Sequence, residues 1–238
     1  MAIVALLLAL LLPLLGQTMR SARGFRCQMS LRSVAFDFSV FADDQLHGDR
    51  GNDASQLGAN RFRLETFQES EYGLDEFWRW QGSTTHQYPD ANNNDPMRCS
   101  EVKGDIILQQ NTPCSQGGIG PARNISYTFN GRLNRAERRL PNGASVLTPV
   151  TLTSKILQHG NVPLLWDVDG ALAESRDLSP VFSAPPIDPQ GAYGTGTFWF
   201  PSMRHNGAAN FALIDGSVHA SRRPIEQTGW NWAFQPAR

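Results

Sequence analysis

The chain has 238 residues, of which 40% are hydrophobic and 18% charged, and its formal net charge is -1 at pH 7. This length suits one sizeable domain with an appendage. The near-neutral charge gives no electrostatic reason to expect a nucleic-acid partner, and three cysteines are too few for a disulfide scaffold.

The amino terminus, MAIVALLLALLLPLLG, is apolar and contains one helix breaker, Pro13. It is short for a membrane span, which needs about 20 apolar residues. As a secretory signal it lacks a basic start and a clear cleavage site. A third interpretation, the remaining part of a longer apolar helix, is the one that the following residues support.

Downstream of the apolar run, hydrophobic residues recur at spacings of three and four, which is typical of one face of an amphipathic helix. They are Leu31, Val34, Ala35, Phe38 and Phe41. We therefore predict one helix over residues 1–46, kinked at Pro13. Its first half would anchor the chain in a membrane, and its second half would pack against a domain.

Residues 47–238 are predicted to form a mostly antiparallel, loop-rich β-sheet domain, so the predicted fold class is α+β. Short β-rich runs between turn residues are the strand candidates: 104–110, 124–131, 162–168, 196–200, 210–214 and 217–221. Between them, residues 134–161 are predicted to be a helical or irregular connection and residues 179–196 a surface loop rich in Pro and Gly.

The stretch RHNGAANFALIDGSVHA, residues 204–220, contains His205 and, after nine intervening residues, Asp215-Gly216. Asp-Gly between two apolar runs predicts a two-residue type I′ hairpin turn with positive φ at both positions. That register would pair Leu213 with Val218 on a buried face. Asp215 is then explained by backbone geometry, and His205 by the HNG turn before the first strand, so we favour a structural role for both.

Cysteine spacing suggests one disulfide. Cys99 and Cys114 bracket a loop rich in Asn, Gln, Gly and Pro, so we predict a Cys99–Cys114 bridge with Cys27 unpaired if the domain is exported. The alternative is three free thiols in a reducing compartment.

Two loops are candidates for calcium, although a turn explains each of them as well or better. One has the ligand spacing of an EF-hand loop but carries Asp95 where glycine is needed. The other follows the strand predicted at residues 162–168. The candidate ligands are Asp90, Asn92, Asn94 and Glu101 in the first loop, and Asp167 and Asp169 in the second. We therefore predict no cofactor, with calcium as the alternative.

Signs of catalysis are weak, because the histidines are scattered and neither G-x-S-x-G nor H-E-x-x-H occurs. We therefore predict a protein that is not an enzyme. The pairs Trp78/Trp80 and Trp230/Trp232 could form a carbohydrate platform, but such residues more commonly fill or cover a thin core.

Both ends and the middle of the chain resemble the prepilin-type, H-X9-DG family of pseudopilin-like proteins. The resemblance rests on the signature His205, Asp215 and Gly216, on the anchor helix with Pro13, Cys27 and Leu31-Arg32, and on the blocks MRCSE (97–101), NISYTFN (124–130) and VPLLWDVDG (162–170).

The resemblance implies a membrane-anchored structural subunit of a type II secretion or type IV pilus-like system. The helix would lie in a bacterial inner membrane, the sheet domain outside the cytoplasm, and other pilin-like subunits would be its partners. Members of the family begin with a basic leader, a cleavage-point glycine and a Phe-Thr-Leu-Ile-Glu type sequence. We expect these upstream of Met1, with a prepilin peptidase as a further partner. The alternative is that this copy has lost its processing site, in which case a prepilin peptidase could not cleave it.

Orientation in the membrane rests on the resemblance, since the arginines after the apolar run would by themselves keep that flank cytoplasmic. These are Arg20, Arg23, Arg26 and Arg32. The main alternative function is a secreted carbohydrate- or protein-binding β-rich module whose signal peptide ends before about Gly24. A periplasmic hydrolase is a third, for which we find no nucleophile constellation.

Overall fold

The structure is a computed structural model. It describes residues 2–46, 57–58, 60–72, 79–80, 97–102, 108–110, 118–122, 126–140, 143, 145–176 and 178–236. Its helices are α1 (Ala2–Ala42), α2 (Leu64–Tyr72), α3 (Gly131–Asn134) and α4 (Gly170–Ser175). Two short 3-10 helices cover Ser154–Gln158 and Pro224–Glu226.

The strands in chain order are β1 (Arg79–Trp80), β2 (Leu108–Gln110), β3 (Gly118–Ala122), β4 (Tyr127–Asn130), β5 (Arg135–Arg139), β6 (Ser145–Pro149), β7 (Pro163–Asp167), β8 (Phe182–Ser183), β9 (Ala209–Leu213) and β10 (Val218–Ser221). A central sheet has the order β10-β9-β7-β4-β8, and β1-β3-β2 and β5-β6 form two smaller sheets. In the central sheet only β4 and β8 pair in parallel. The predicted α+β class with a mostly antiparallel sheet is confirmed.

One face of α1 forms part of the main hydrophobic core and lies against β7, β9 and β10. The five residues predicted to face the domain are all at most 1% exposed: Leu31, Val34, Ala35, Phe38 and Phe41. Phe38 makes edge-to-face contacts with Phe62 and Phe67. Burying a large apolar side chain contributes about 1.5–3 kcal/mol, so this face is a major source of stability.

The helix continues through Pro13 and ends at Ala42 rather than at residue 46. After it, the amide of Gln45 donates to Asp43 Oδ1 at 2.8 Å in a local turn, which fixes the end of the helix. Within the described part of the chain, no helix combines the length and the apolar character needed to cross a bilayer.

An aromatic cluster covers the second face of the central sheet. Trp166 of β7 and Phe211 of β9 are fully buried and contact Trp232, which is 4% exposed. Trp232 Nε1 donates to the carbonyl of Pro224 at 2.9 Å. Within the second tryptophan pair, Trp232 is therefore a core residue. Residue 78 and the side chain of Trp80 lie outside the described part of the structure.

Four predicted strands are confirmed, since residues 124–131, 162–168 and 217–221 contain β4, β7 and β10, and residues 210–214 overlap β9 with a shift of one residue. Of residues 104–110, Leu108–Gln110 form a strand, and residues 103–107 lie outside the described residues. The strand predicted at 196–200 is wrong, because the chain turns there, with Gly196 at a φ of 71°. One backbone hydrogen bond still joins this segment to the chain after β8, since the carbonyl of Phe198 accepts from the amide of Ala184.

The helical or irregular connection predicted over residues 134–161 is wrong for its first half, which contains the β5–β6 hairpin. Residues 135–139, RAERR, are charged residues and alanine, which favour helix by intrinsic propensity. Pairing with β6 overrides that preference. The predicted surface loop at 179–196 includes the short strand β8, which pairs with β4.

The hairpin after β9 differs from the predicted type I′ turn. Gly216 has a φ of 80°, whereas Asp215 does not have a positive φ. The amide of Gly216 donates to Leu213 O at 3.0 Å, and the amide of Leu213 donates to Ser217 O at 2.9 Å. The loop therefore has three residues, a type I turn followed by a left-handed glycine. Asp215 Oδ1 stabilises it by accepting from the amide of Ser217 at 2.9 Å.

The longer loop shifts the strand register by one residue. Val218 pairs with Ala212 and His219 with Phe211, so the predicted pairing of Leu213 with Val218 is wrong. A one-residue shift moves side chains to the opposite face, and Val218 accordingly packs with Ala212 on the α1 side of the sheet.

We predict that Gly216→Val lowers the free energy of unfolding by about 2 kcal/mol, because a residue with a Cβ, especially a β-branched one, resists the left-handed conformation. A Cβ at this position meets nothing within 4 Å, so the effect would come from the backbone rather than from a clash. Gly216→Asn is the matched control and should lose less than about 1 kcal/mol, because Asn tolerates positive φ. Urea unfolding measures both, and equal losses would contradict the turn assignment.

Candidate functional site

The buried side chain of Cys27 lies on the same face of α1 as Leu31, one helical turn earlier. It forms a disulfide with Cys99, with a Cα–Cα distance of 4.9 Å. The two cysteines are 1% and 0% exposed, respectively. The predicted Cys99–Cys114 bridge is therefore wrong, and Cys114 lies outside the described residues. Helix docking, rather than closure of the local loop, brings the partners together.

His205 lies beside this disulfide. Its Nε2 is 3.6 Å from Cys99 Sγ and 3.3 Å from Asp167 Oδ2. Asn206 and Gly207 follow with φ angles of 54° and 78°, as a type I′ turn requires. His205 and Ala208 close that turn with reciprocal backbone hydrogen bonds of 3.1 and 3.0 Å. The turn predicted at HNG is thus confirmed, and it has the type I′ geometry that was predicted for Asp215-Gly216 instead.

Asp167 ends β7 and is completely buried. Its Oδ2 accepts from the backbone amide of Asn210 at 2.7 Å, and its Oδ1 has no hydrogen-bond partner among the described residues. Burying an ionised carboxylate is unfavourable unless it is paired. The side chain that the structure places next to this carboxylate is His205, whose Nε2 lies 3.3 Å from Asp167 Oδ2.

Polar residues connect the site to α1. Gln28 Nε2 donates to Asn210 Oδ1 at 3.0 Å, joining the helix to β9. Arg23 of α1 faces Glu101 at 4.0 Å. A cavity of about 260 Å³ opens beside the site and is lined by Gly24, Gln28, Glu101, Arg204, His205 and Asn210, among others. The disulfide, the imidazole and the buried carboxylate therefore lie between helix and sheet, next to solvent.

The calcium candidates do not gather into one site among the described residues. Asp169 Oδ1 accepts from the amide of Leu172 at 3.0 Å and caps α4, whereas Asp167 faces His205. Glu101 faces Arg23. Asp90, Asn92 and Asn94 lie outside the part of the chain that the structure describes.

The two halves of the H-X9-DG signature do not meet. His205 precedes β9 and Asp215 follows it, so one five-residue strand, about 17 Å long, separates them. The nine-residue spacing therefore corresponds to a strand and the turns at its two ends. Asp215 and Gly216 shape the hairpin loop, as predicted. His205 has the additional contacts with Asp167 and Cys99, which the sequence reasoning missed.

No protein-family model, curated protein or solved structure matches this chain.

We predict that the Cys27–Cys99 disulfide contributes about 4 kcal/mol to the free energy of unfolding, because it closes a long loop in the unfolded chain. The sequence separation is 72 residues. Cys27→Ser in a Cys114→Ser background should show this loss in urea unfolding without reductant. Cys114→Ser alone is the control and should be close to the wild type. A large loss already in the control would favour a bridge to Cys114.

Proposed function

We propose that this chain is a pseudopilin-like, membrane-anchored structural subunit of a type II secretion or type IV pilus-like system, and that it is not an enzyme. The apolar first half of α1 would lie in a bacterial inner membrane, with the sheet domain outside the cytoplasm. Assembly would occur through α1. The observation that carries this proposal is a second apolar stripe on α1, exposed and opposite to the buried one.

This outer stripe consists of five large hydrophobic residues that are 46–64% exposed: Leu15, Met19, Phe25, Met29 and Phe36. Their successive spacings are four, six, four and seven residues. At about 100° per residue, the stripe is centred roughly 180° from the face that contains Leu31 and Phe38. One helix therefore carries two apolar faces, of which its own domain covers one.

An exposed apolar stripe supports assembly because it is unfavourable in water and favourable once another surface covers it. Side chains at helical spacing form ridges that fit the grooves of a second helix. Continuity of α1 from the apolar amino terminus into this stripe favours a second copy of the same chain as the occupant. Copies anchored in one bilayer would present their stripes at the same height.

The buried site would serve this function mechanically. The Cys27–Cys99 disulfide links α1 covalently to residues 97–102, and His205, Asp167 and Asn210 pack around the link. Tension on the anchor would then reach the sheet domain through a covalent bond as well as through apolar contacts. The two sulfur atoms next to His205 are bonded to each other, so neither is a free nucleophile. This also favours a structural role for the site.

We predict that Met29→Glu together with Phe36→Glu weakens self-association of the full chain about 100-fold. Two buried apolar contacts would be replaced by charges, and each is worth about 1.5–3 kcal/mol. Both side chains are exposed in the single chain, so unfolding should change by less than about 0.5 kcal/mol. Sedimentation equilibrium in detergent measures the association.

The matched control is Val146→Glu together with Ile225→Glu, which places the same charges at exposed apolar positions outside α1. Val146 is 37% and Ile225 40% exposed. These variants should associate like the wild type. A wild-type chain that stays monomeric, or a control that is as impaired as the α1 variant, would count against assembly through the outer stripe.

A further inference from the structure

We propose that the reduced protein binds one zinc ion between α1 and the central sheet, through Cys27, Cys99, His205 and Asp167, and that oxidation to the Cys27–Cys99 disulfide releases it. The site would thus have two alternative cross-links, a covalent one and a metal-bridged one. This inference does not depend on the proposed assembly function.

The ligand atoms are already close together. Cys27 Sγ, Cys99 Sγ and His205 Nε2 all lie within 4.8 Å of one another. Cys99 Sγ is 3.6 Å from His205 Nε2, and Asp167 Oδ2 is 3.3 Å from the same nitrogen. Zinc bond lengths of about 2.0 Å to nitrogen and oxygen and about 2.3 Å to sulfur place tetrahedral ligands about 3.3–3.8 Å apart. Two of the required separations therefore exist before any metal binds.

Charge and burial favour a cation in the reduced state. Cys27, Cys99 and Asp167 are each at most 1% exposed, and Asp167 Oδ1 has no hydrogen-bond partner within the described structure. Two thiolates and a carboxylate at this depth would be strongly unfavourable without a compensating charge. A divalent ion bound to them removes that penalty.

Supporting contacts are also in place. The amide of Asn210 holds Asp167 Oδ2 at 2.7 Å, and the Asn210 side chain accepts from Gln28 of α1 at 3.0 Å. Such contacts orient ligands in metal sites. Thiolate and imidazole ligands in a tetrahedral arrangement are typical of zinc. The cavity lined by Gly24, Glu101 and His205 gives solvent a route to the site.

The redox step balances as a thiol–disulfide exchange with a dithiol reductant. The Cys27–Cys99 bond breaks, two thiols form, and the reductant becomes a disulfide after giving up two electrons and two protons. Zinc then displaces the two thiol protons, which pass to solvent. The sulfur atoms must separate to about 3.8 Å. Cys99 lies in neither a helix nor a strand, so this movement leaves the sheet pairing intact.

The test uses the full chain with Cys114→Ser, reduced by a phosphine, because dithiols themselves bind zinc. The phosphine takes up oxygen from water and becomes its oxide. Competition with a chromophoric chelator measures zinc affinity, and Co²⁺ substitution reports thiolate ligation through charge-transfer bands. We expect one bound zinc in the reduced protein, at least tenfold weaker binding in the oxidised protein, and thiolate-to-cobalt bands in the reduced protein alone.

Substitutions identify the ligands. His205→Ala and Asp167→Asn should each weaken zinc binding by at least about tenfold. His219→Ala is the control, since His219 is exposed and contacts Ser217 instead, and it should leave the affinity unchanged. Equal effects of His205→Ala and His219→Ala would overturn the proposal.

Circular dichroism covers the case in which reduction unfolds the chain. Recovery of the folded spectrum with one equivalent of zinc would support the site, because binding would then be coupled to folding. Absence of zinc binding in the reduced protein, whether it stays folded or not, would refute it. Equal affinity in the reduced and oxidised proteins would refute it as well.

Discussion

The docking of one face of α1 onto the central sheet is the interaction on which the rest of the structure depends. The buried face of α1, from Leu31 to Phe38, packs over β7 and β9. No other helix in the described part of the chain covers the central sheet to the same extent. This packing also carries Cys27 to Cys99 and Gln28 to Asn210. Without it, the disulfide, the buried carboxylate and the imidazole would not share one site. The second half of α1, from Cys27 to Ala42, is therefore part of the hydrophobic core of the domain.

A single strand, β9, organises the signature at the carboxyl end of the chain. An Asn-Gly turn before the strand directs His205 toward α1, and the Asp-Gly loop after it sets the pairing with β10. The aspartate is occupied by its own turn, whereas the histidine contacts a buried carboxylate and a cystine sulfur. The nine-residue spacing between the two residues is thus a consequence of strand length, and of the two it is the histidine that lies among groups able to bind a metal.

The sequence predicts those features that depend on local periodicity. Five apolar residues at spacings of three and four identify the buried face of α1, and β-rich runs identify β4, β7, β9 and β10. The predicted register of the β9–β10 hairpin was wrong because both faces of β9 are buried. Phe211 packs against tryptophans and Ala212 packs against α1, so hydrophobic alternation does not select a register. The β5 strand is charged and gives no β signal. Pairing of Cys27 with Cys99 depends on tertiary docking, although the position of Cys27 one turn before Leu31 was a usable indication.

Hydrogen exchange along α1 in the full chain is the measurement that tests this account most directly. If the inner face is core, the amides of residues 31–42 exchange only through global unfolding and show the largest protection in the protein. Residues 15–26 contact less of the domain. In the isolated chain their amides should therefore exchange through local opening of the helix and show less protection. Rapid exchange throughout residues 31–42 would show that the helix is a separable appendage and would contradict the central claim.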